Sequence, residues 1–221
     1  MNQIDIRQFL VATILVLGIM TSARAADGSF EQALLDIQHE WAAANYHTGS
    51  KSERRAAFDA VVEHSARLAE QYPNAVEVIA WDGIILSSYA GVVGKLSAMG
   101  YAKAARERLH QAETMNATAL SGGIYASLGA LYSKVPGGFV GFGDDDLAES
   151  YFRKALEVDA TNIDSNYFYG EFLLEQGRAR EALPFLERAA GAPTVAGRPV
   201  FDAGRRAEAQ ALITTANGKL S

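Results

Sequence analysis

A triplet of small and apolar residues recurs in this chain after 34 residues. The first copy is Ala148, Phe152 and Ala155, and the second is Ala182, Leu186 and Ala189. A fixed period between 20 and 50 residues is typical of stacked repeats, in which no single repeat buries its own apolar face. The recurrence therefore predicts a helical scaffold built from repeated units, and it restricts the function without naming it.

The length and composition are those of a folded globular protein. The chain has 221 residues, of which 49% are apolar and 21% are charged, so one domain or a short solenoid can bury a sizeable core. The formal net charge is -6, and the Lys and Arg residues are spread singly. This acidic balance argues against binding to nucleic acid or to an anionic membrane surface through bulk electrostatics.

Residues 1–25 have the pattern of a secretory signal peptide. Residues 9–20 are apolar except for Thr13 and Gly18, Arg7 precedes them, and the small residues Ala23 and Ala25 form a cleavage pattern. This run of twelve residues is too short to cross a bilayer, which needs about 20 apolar residues. The alternative interpretation of this segment is an uncleaved N-terminal anchor.

The chain contains no cysteine, which excludes disulfide bonds, thiolate metal sites, thiol catalysis and a lipid-modified N-terminal cysteine. Together with the signal pattern and the lack of a second long apolar segment, this predicts a soluble protein of the bacterial periplasm. After signal cleavage it is not expected to be a stable membrane protein.

The clearest repeat covers residues 163–196. Its first helix carries Asn166, Tyr169, Gly170 and Leu173 at helical spacing and stops at Gly177, and the second copy of the triplet follows on the next helix. These spacings resemble the tetratricopeptide repeat, a helical hairpin of 34 residues. Gly170 and Ala182 are small enough to let the two helices approach closely, while the larger residues fill the seam between them.

Two further repeats precede this one. Residues 122–162 carry Leu128, Gly129 and Tyr132 before the first triplet, and Gly129 precedes Gly170 by 41 residues, seven more than the standard period. The seven-residue insertion falls in the Gly-rich segment 136–144. Residues 86–119 form an earlier unit, in which Gly100, Ala105, Leu109 and Ala112 match the spacing of Gly177 and the second triplet.

The first helix of the 86–119 unit is predicted to carry Tyr89, Val92, Val93 and Leu96. Because no breaker interrupts the run back to Ala75, one long helix of about 24 residues is also predicted there. Helical segments flank the repeats: a divergent hairpin at about 28–73, with a joint at 48–50 and an end at Pro73, and a capping helix at 202–217 with Asp202 as its N-cap.

The predicted fold is therefore all-α, with residues 26–221 forming a single right-handed solenoid of antiparallel helical hairpins and about nine helices.

The insertion is the first candidate functional segment. Phe139 and Phe142 lie on a Gly-rich loop, where exposed aromatic side chains cost free energy in water unless they are covered. They are predicted to fold over the groove formed by the first helices, to wait for a partner, or to fill a gap at the repeat junction.

The second candidate is the groove face of the repeats. Tyr167, Glu171 and Leu174 lie on the helix face that lines the concave groove in tetratricopeptide repeats, and Ser133 and Lys134 are expected beside them. These residues are predicted to bind a ligand or partner; the alternative is an ordinary solvated helix face.

The sequence offers no basis for catalysis, a metal ion or a cofactor. The acidic run Asp144–Asp146 suits the start of a helix better than a calcium loop, and the glycines at 138, 141 and 143 lack the context of a phosphate loop. The four histidines have no paired metal-ligand spacing, and no serine lies in a nucleophile elbow. A non-enzymatic protein is expected.

The resemblance implies recognition of a protein or peptide partner in the concave groove. The chain is also similar to the TatT component associated with periplasmic TRAP transporters, which implies an alternative function, that of a small-ligand-binding accessory protein of a transport system. The sequence leaves the identity of the partner and of any small organic ligand open.

Overall fold

The computed structural model describes residues 29–221, so the predicted signal peptide lies outside the described residues. The chain divides into two compact units, Met1–Asp36 and Ile37–Ser221. In the described part of the first unit, residues 29–36 are helical and Gln32 donates a hydrogen bond to Asp36 (2.7 Å). The side-chain contacts discussed below belong to the second unit.

Nine α-helices lie within residues 29–221, and this part of the chain contains no β-strand. They are α1 (29–46), α2 (Lys51–Gln71), α3 (Val76–Ala90), α4 (Lys95–Asn116), α5 (Gly123–Lys134), α6 (Asp145–Val158), α7 (Ile163–Glu175), α8 (Ala179–Ala190) and α9 (Pro199–Leu220), with a 3₁₀ turn at Ala119–Gly122. The predicted all-α class is confirmed. None of the helices in the described range is long and apolar enough to cross a bilayer.

From α2 onward, helices pack mainly against their neighbours in sequence. The most extensive contacts join α3 with α4, α7 with α8, α5 with α6, and α8 with α9, and further contacts join α5 with α7, α4 with α5, α6 with α7, α7 with α9 and α3 with α5. Both helices of a hairpin therefore contact the helix that follows the hairpin, which is the arrangement of a helical solenoid.

The repeated triplets form the core of the stack. The side chains of both copies are fully buried, as are those of the matching residues Ala105, Leu109 and Ala112. Small residues on the first helices allow this packing. A Cβ atom added to Gly170 would lie 2.7 Å from Leu186, and one added to Gly129 would lie 2.7 Å from Phe152.

Local capping interactions explain where several helices begin. The side chain of Ser50 accepts from the backbone N–H of Glu53 (3.2 Å), and Glu53 accepts from that of Ser50 (2.8 Å), which forms a capping box. Asp144 accepts from the N–H of Leu147 (2.9 Å), and Asn162 from that of Ser165 (2.9 Å). The predicted capping role of the first carboxylate in Asp144–Asp146 is confirmed.

The prediction of one long helix continuing from Ala75 is wrong. Helix α3 ends at Ala90 and α4 begins at Lys95, with Gly91 and Gly94 at the turn between them. The chain reverses here so that α4 can pack against α3. Leu96, expected on the first helix of this unit, lies instead in the first turn of α4 and is fully exposed.

The final helix begins before the predicted residue. Helix α9 starts at Pro199, a residue that suits the first turn because it has no N–H to leave unbonded. Asp202 is therefore inside the helix and fully buried, and the prediction that it is the N-cap is wrong. Its carboxylate accepts from the N–H of Val195 (2.6 Å) and from Arg198 (3.0 Å), so it holds the preceding loop instead.

Candidate binding cavity

A cavity of about 1000 Å³ lies within the second unit. Its wall is built mainly from the first helices of the hairpins and from α9, each of which contributes side chains three or four residues apart. These stripes are Gln38, Trp41 and Asn45 on α1; Trp81, Ile84 and Ser88 on α3; Gly123, Ser127, Leu131 and Lys134 on α5; Asp164, Tyr167, Phe168 and Glu171 on α7; and Phe201, Arg205 and Glu208 on α9. The spacing shows that one face of each helix points into the same space.

Small residues form part of the cavity wall on the middle helices. Helix α5 presents Gly123, Ser127 and Ala130 to the cavity, and α3 presents Ser87 and Ser88. None of these side chains reaches across to the opposite helices.

Helices α1 and α9 contact each other at one side of the cavity. The ring centroids of Trp41 and Phe201 are 5.2 Å apart, and the hydroxyl of Tyr46 donates to Glu208 (3.1 Å). Gly204 faces the Tyr46 ring so closely that an added Cβ atom would lie 2.5 Å from it. The first and last helices of the solenoid thus bound the cavity together.

An aromatic cluster forms the wall where α1, α3 and α9 meet. Trp41 packs edge-on against Trp81 with ring centroids 5.8 Å apart, and Trp81 packs against Phe201 at 6.4 Å. The indole N–H of Trp41 donates to the hydroxyl of Ser88 (2.9 Å). These are the two tryptophans of the chain, so the intrinsic fluorescence of the protein reports on this wall.

Arg205 lies at the centre of a second cluster, between α7 and α9. Its guanidinium donates to Asp164 (2.7 Å) and Glu208 (2.7 Å) and stacks over the ring of Tyr167 at 4.4 Å. Burial alone would lower the pKa of Arg205, but the neighbouring carboxylates outweigh it and raise the pKa. Burial also raises the pKa of Tyr167, so both groups keep their ordinary charge across the neutral range.

Three of the seven predicted site residues line the cavity. Lys134 on α5 forms an ion pair with Glu171 on α7 (3.2 Å) and a second one with Glu175, and Tyr167 lies one turn before Glu171 on the same face. These contacts join the groove faces of two successive hairpins.

The sequence and the fold of this chain can be compared with those of known proteins. No protein-family model and no curated protein sequence matches the chain. The crystal structure of TTC0263, a thermophilic TPR (tetratricopeptide-repeat) protein of Thermus thermophilus, matches with a TM-score of 0.53 and 18% identity, over 89% of this chain and 97% of that one. This chain has the tetratricopeptide-repeat fold.

Two crystal structures of MamA are also similar, both with a TM-score of 0.43. Their identities are 17% and 18%, with coverage of 78% and 87% of this chain and 95% and 92% of theirs. These structures do not confirm the narrower similarity to TatT.

The other four predicted site residues lie outside the cavity of this tetratricopeptide-repeat solenoid. Ser133 is half-buried and donates to the carbonyl of Ala130 (2.9 Å), and the buried Leu174 packs in the core, where its carbonyl accepts from Lys219 (3.4 Å). Phe142 packs against Tyr132 with centroids 5.6 Å apart and lies under Arg106 at 4.2 Å. Phe139 is fully exposed to solvent.

The two phenylalanines of the insertion therefore do not fold over the groove. Phe142 fills the gap at the repeat junction, which was one of the three predicted alternatives. Phe139 lies at the tip of the loop. Gly143 donates to the carbonyl of Pro136 (3.0 Å), and a Cβ atom on Gly143 would lie 1.8 Å from the carbonyl oxygen of Val135. Only glycine fits at position 143 of this tight turn. Val135, just before the insertion, and Pro136, its first residue, line the cavity.

Sequence reasoning missed the aromatic wall and Arg205. Trp41, Trp81 and Phe201 lie outside the segments that follow the 34-residue register, so their groove-facing positions could not be assigned from it. The signal that could have found them is the spacing of three and four residues on α1, α3 and α9.

The described residues contain no group of three or more acidic or histidine side chains placed to hold a metal ion. A chain of hydrogen bonds does join Glu113, His110 and Tyr132: the two ring nitrogens of His110 lie 2.8 Å from the Glu113 carboxylate and 3.1 Å from the Tyr132 hydroxyl. It connects α4 with α5, and none of its members lines the cavity.

Proposed function

We propose that this protein is a non-enzymatic binding protein that holds a segment of a protein partner in the cavity on its concave face. The tetratricopeptide-repeat fold supports a protein-interaction role. The observation that carries the proposal is the convergence of one face from each of five helices on a single cavity. Such a wall offers apolar side chains for affinity and a few polar groups for orientation.

The size of the cavity restricts the partner segment. A volume of about 1000 Å³ is at the upper end of the range of typical ligand sites, roughly 300–1,000 Å³. A short segment fits into this space, whereas a folded domain does not. We therefore expect a chain terminus or a short loop of the partner to enter the cavity.

A cavity-filling variant tests this proposal. Ser127 lies on the small-residue face of α5, so Ser127→Phe should fill the cavity while leaving the core untouched. Ser150 is exposed on α6, and Ser150→Phe adds the same ring outside the cavity. In pull-downs from a periplasmic extract, a partner recovered by wild type and by Ser150→Phe should be lost with Ser127→Phe. Equal recovery by all three proteins would contradict binding in the cavity.

A second candidate function is binding of a small organic ligand, as an accessory protein of a transport system. The contact between α1 and α9 favours it, because it bounds the cavity on a side where an open solenoid would admit an extended chain. A ligand that binds only the native state raises the melting temperature. Thermal-shift screening of metabolites should give stabilisation that Ser127→Phe abolishes, and a screen without such a compound would count against this function.

We also propose that the protein acts in the periplasm, because the sequence of residues 1–25 has the signal pattern described above. Fractionation and intact-mass measurement of the expressed protein test this. We expect a periplasmic product that lacks residues 1–25; a full-length product in the membrane fraction would indicate an uncleaved anchor.

A further inference from the structure

The carboxylates of the cavity wall outnumber the cationic side chains there. The cationic side chains that line the cavity are Arg54, Lys134, Arg198 and Arg205. With the ion-pair partners of the wall included, the carboxylates are Asp159, Asp164, Glu171, Glu175, Asp202 and Glu208. Four positive and six negative charges leave this set with a net charge of -2. A cleft with an excess of one sign attracts a ligand of the opposite sign.

The excess lies in two clusters along α7. In the first, the Arg205 cluster, one guanidinium is paired with both Asp164 (2.7 Å) and Glu208 (2.7 Å). In the second, the Lys134 cluster, one ammonium group is paired with both Glu171 (3.2 Å) and Glu175. Each cluster therefore keeps one unmatched negative charge.

The other charges of the wall do not alter this excess. Arg198 donates to Asp202 (3.0 Å), whose side chain is 1% exposed, so this pair is neutral. Arg54 and Asp159 carry opposite charges that cancel. On α1 and α3, the polar side chains of the wall are all neutral: Gln38, Asn45, Ser87 and Ser88. The unmatched negative charge therefore belongs to the part of the wall that α7 forms with α5 and α9.

The carboxylates of the two clusters have acceptor capacity left for a ligand. Arg205 contacts Oδ1 of Asp164 and Oε2 of Glu208, and within residues 29–221 no protein donor bonds the second oxygen of either carboxylate. The side chains of Glu171, Glu175 and Glu208 are 20%, 49% and 35% exposed, so a ligand can reach them. An ammonium or guanidinium group would gain charge-assisted hydrogen bonds here, whereas an anion would be repelled.

The separation of the two clusters suits an extended chain. Asp164 and Glu171 lie seven residues apart on one face of α7, which corresponds to about 10 Å along the helix axis. An extended chain advances about 3.3 Å per residue, so two cationic side chains roughly three residues apart would reach both clusters. A small molecule with a single cationic group would occupy only one of them.

From this we infer that the partner segment held in the cavity is basic, with two Lys or Arg side chains about three residues apart that bind the Arg205 cluster and the Lys134 cluster. This inference rests on the proposed binding of a partner segment and names the chemistry of that segment. It also orients the segment, because the unmatched carboxylates lie on α7 and α9 and not on α1 and α3.

Three peptides that differ only in charge test the inference. Each is acetylated and amidated and has the sequence Ala-Xaa-Ala-Ala-Xaa-Ala, in which Xaa is Lys, Gln or Glu. Binding to the intact protein is measured by isothermal titration calorimetry at low ionic strength, where charge interactions are least screened. We expect the Lys peptide to bind at least about tenfold more tightly than the Gln peptide, the Glu peptide not to bind, and added salt to weaken binding of the Lys peptide.

Charge variants locate this binding at the two clusters. The double variant Glu171→Gln/Glu208→Gln removes the unmatched charge of each cluster and should weaken binding of the Lys peptide at least about tenfold. Lys134→Gln adds an unmatched negative charge and should tighten binding about threefold, a gain that misfolding cannot produce. Glu187→Gln removes a carboxylate on the exposed side of α8 and should leave the affinity unchanged.

The outcomes separate this inference from the function beneath it. Equal binding of the Lys and Gln peptides, no binding of the Lys peptide, or an affinity that neither the double variant nor Lys134→Gln changes would overturn the inference. Nα-acetyl-lysine amide carries a single ammonium group, and if it bound as tightly as the Lys peptide, a small cation would replace the basic segment. A partner that is recovered by wild type and lost with Ser127→Phe, together with no binding of the Lys peptide, would support the proposed function and reject the basic segment.

Discussion

Gly170 shows how one missing side chain sets the distance between two helices. Its Cα faces Leu186, and the same contact recurs at Gly129 with Phe152 and at Gly83 with Leu109, where an added Cβ atom would lie 2.7 to 2.8 Å from the partner side chain. Real Cβ atoms do not approach this closely, so a larger residue must push the helices of a hairpin apart.

We predict that Gly170→Ala destabilises the protein by about 1–3 kcal/mol, although alanine is the better helix former. Gly100 provides the control. It lies inside α4 with open space around it, so Gly100→Ala should stabilise by about 0.5–1 kcal/mol through helix propensity alone. Urea denaturation of both variants measures this. Stabilisation by both substitutions would contradict the account of close helix approach.

Close-approach glycines and buried residues could be predicted from the sequence where the 34-residue register holds. Gly170 was predicted as a close-approach residue, and Gly129 and the buried triplets follow from the same register. Gly83 was missed because the connection from α3 to α4 differs from that of the later hairpins. Gly100, in contrast, matches the turn residue Gly177 in spacing yet lies within a helix.

At the scale of elements, the two aromatic residues of the insertion between α5 and α6 have different surroundings, although the same prediction was made for both from the sequence. Phe142 contacts Tyr132 on α5 and Arg106 on α4, whereas Phe139 is fully exposed. The position of the loop was predictable from the surplus of seven residues. The direction of each side chain was not, because it depends on the tight turn formed by the glycines around them.

We predict that Phe142→Ala destabilises the protein by about 1–2 kcal/mol, since it removes a ring pair and a cation–π contact. Phe139→Ala should change the free energy of unfolding by less than about 0.5 kcal/mol, because the side chain buries nothing. Thermal or urea unfolding of the two single variants measures these changes in stability. A larger loss for Phe139→Ala than for Phe142→Ala would show that the loop is packed differently.

Glu149 connects three elements through its carboxylate. It accepts from Arg153 on α6 (2.8 Å), from Tyr169 on α7 (2.9 Å) and from Arg178 in the turn before α8 (2.9 Å). Burial raises the pKa of Glu149, but these hydrogen bonds outweigh it and lower the pKa to about 2, from an ordinary value of 4.5. A lowered pKa in the folded state means that the stabilisation is complete above pH 4.5 and is lost as the pH falls toward 2.

Accordingly, Glu149→Gln should destabilise the protein by about 1–3 kcal/mol at pH 7. The gap to wild type should remain constant down to about pH 5 and shrink between about pH 4.5 and 3, because wild type is then losing the same carboxylate. Glu187→Gln, on the exposed side of α8, is the control and should match wild type throughout. A gap that stays constant down to about pH 3 would show that the ionised form contributes nothing.

At the scale of the whole molecule, the solenoid brings its first and last helices together. Trp41 and Tyr46 on α1 contact Phe201 and Gly204 on α9, and the cavity lies between these helices and the groove faces of α3, α5 and α7. The all-α solenoid and the stacking of hairpins were predictable from the repeat. The contact between α1 and α9 was not predictable. It depends on the rotation from each hairpin to the next, summed along the solenoid, and no local pattern in the sequence encodes this sum.

The distance between α1 and α9 tests the central claim, that these helices close the concave face into a cavity. Because the chain has no cysteine, spin labels can be placed on Ala43→Cys and Ala207→Cys, both at exposed positions of these two helices. Packed helices have axes about 10 Å apart, so pulsed electron paramagnetic resonance should give one narrow population below roughly 30 Å. A broad distribution centred well beyond that distance would show an open solenoid and contradict the account.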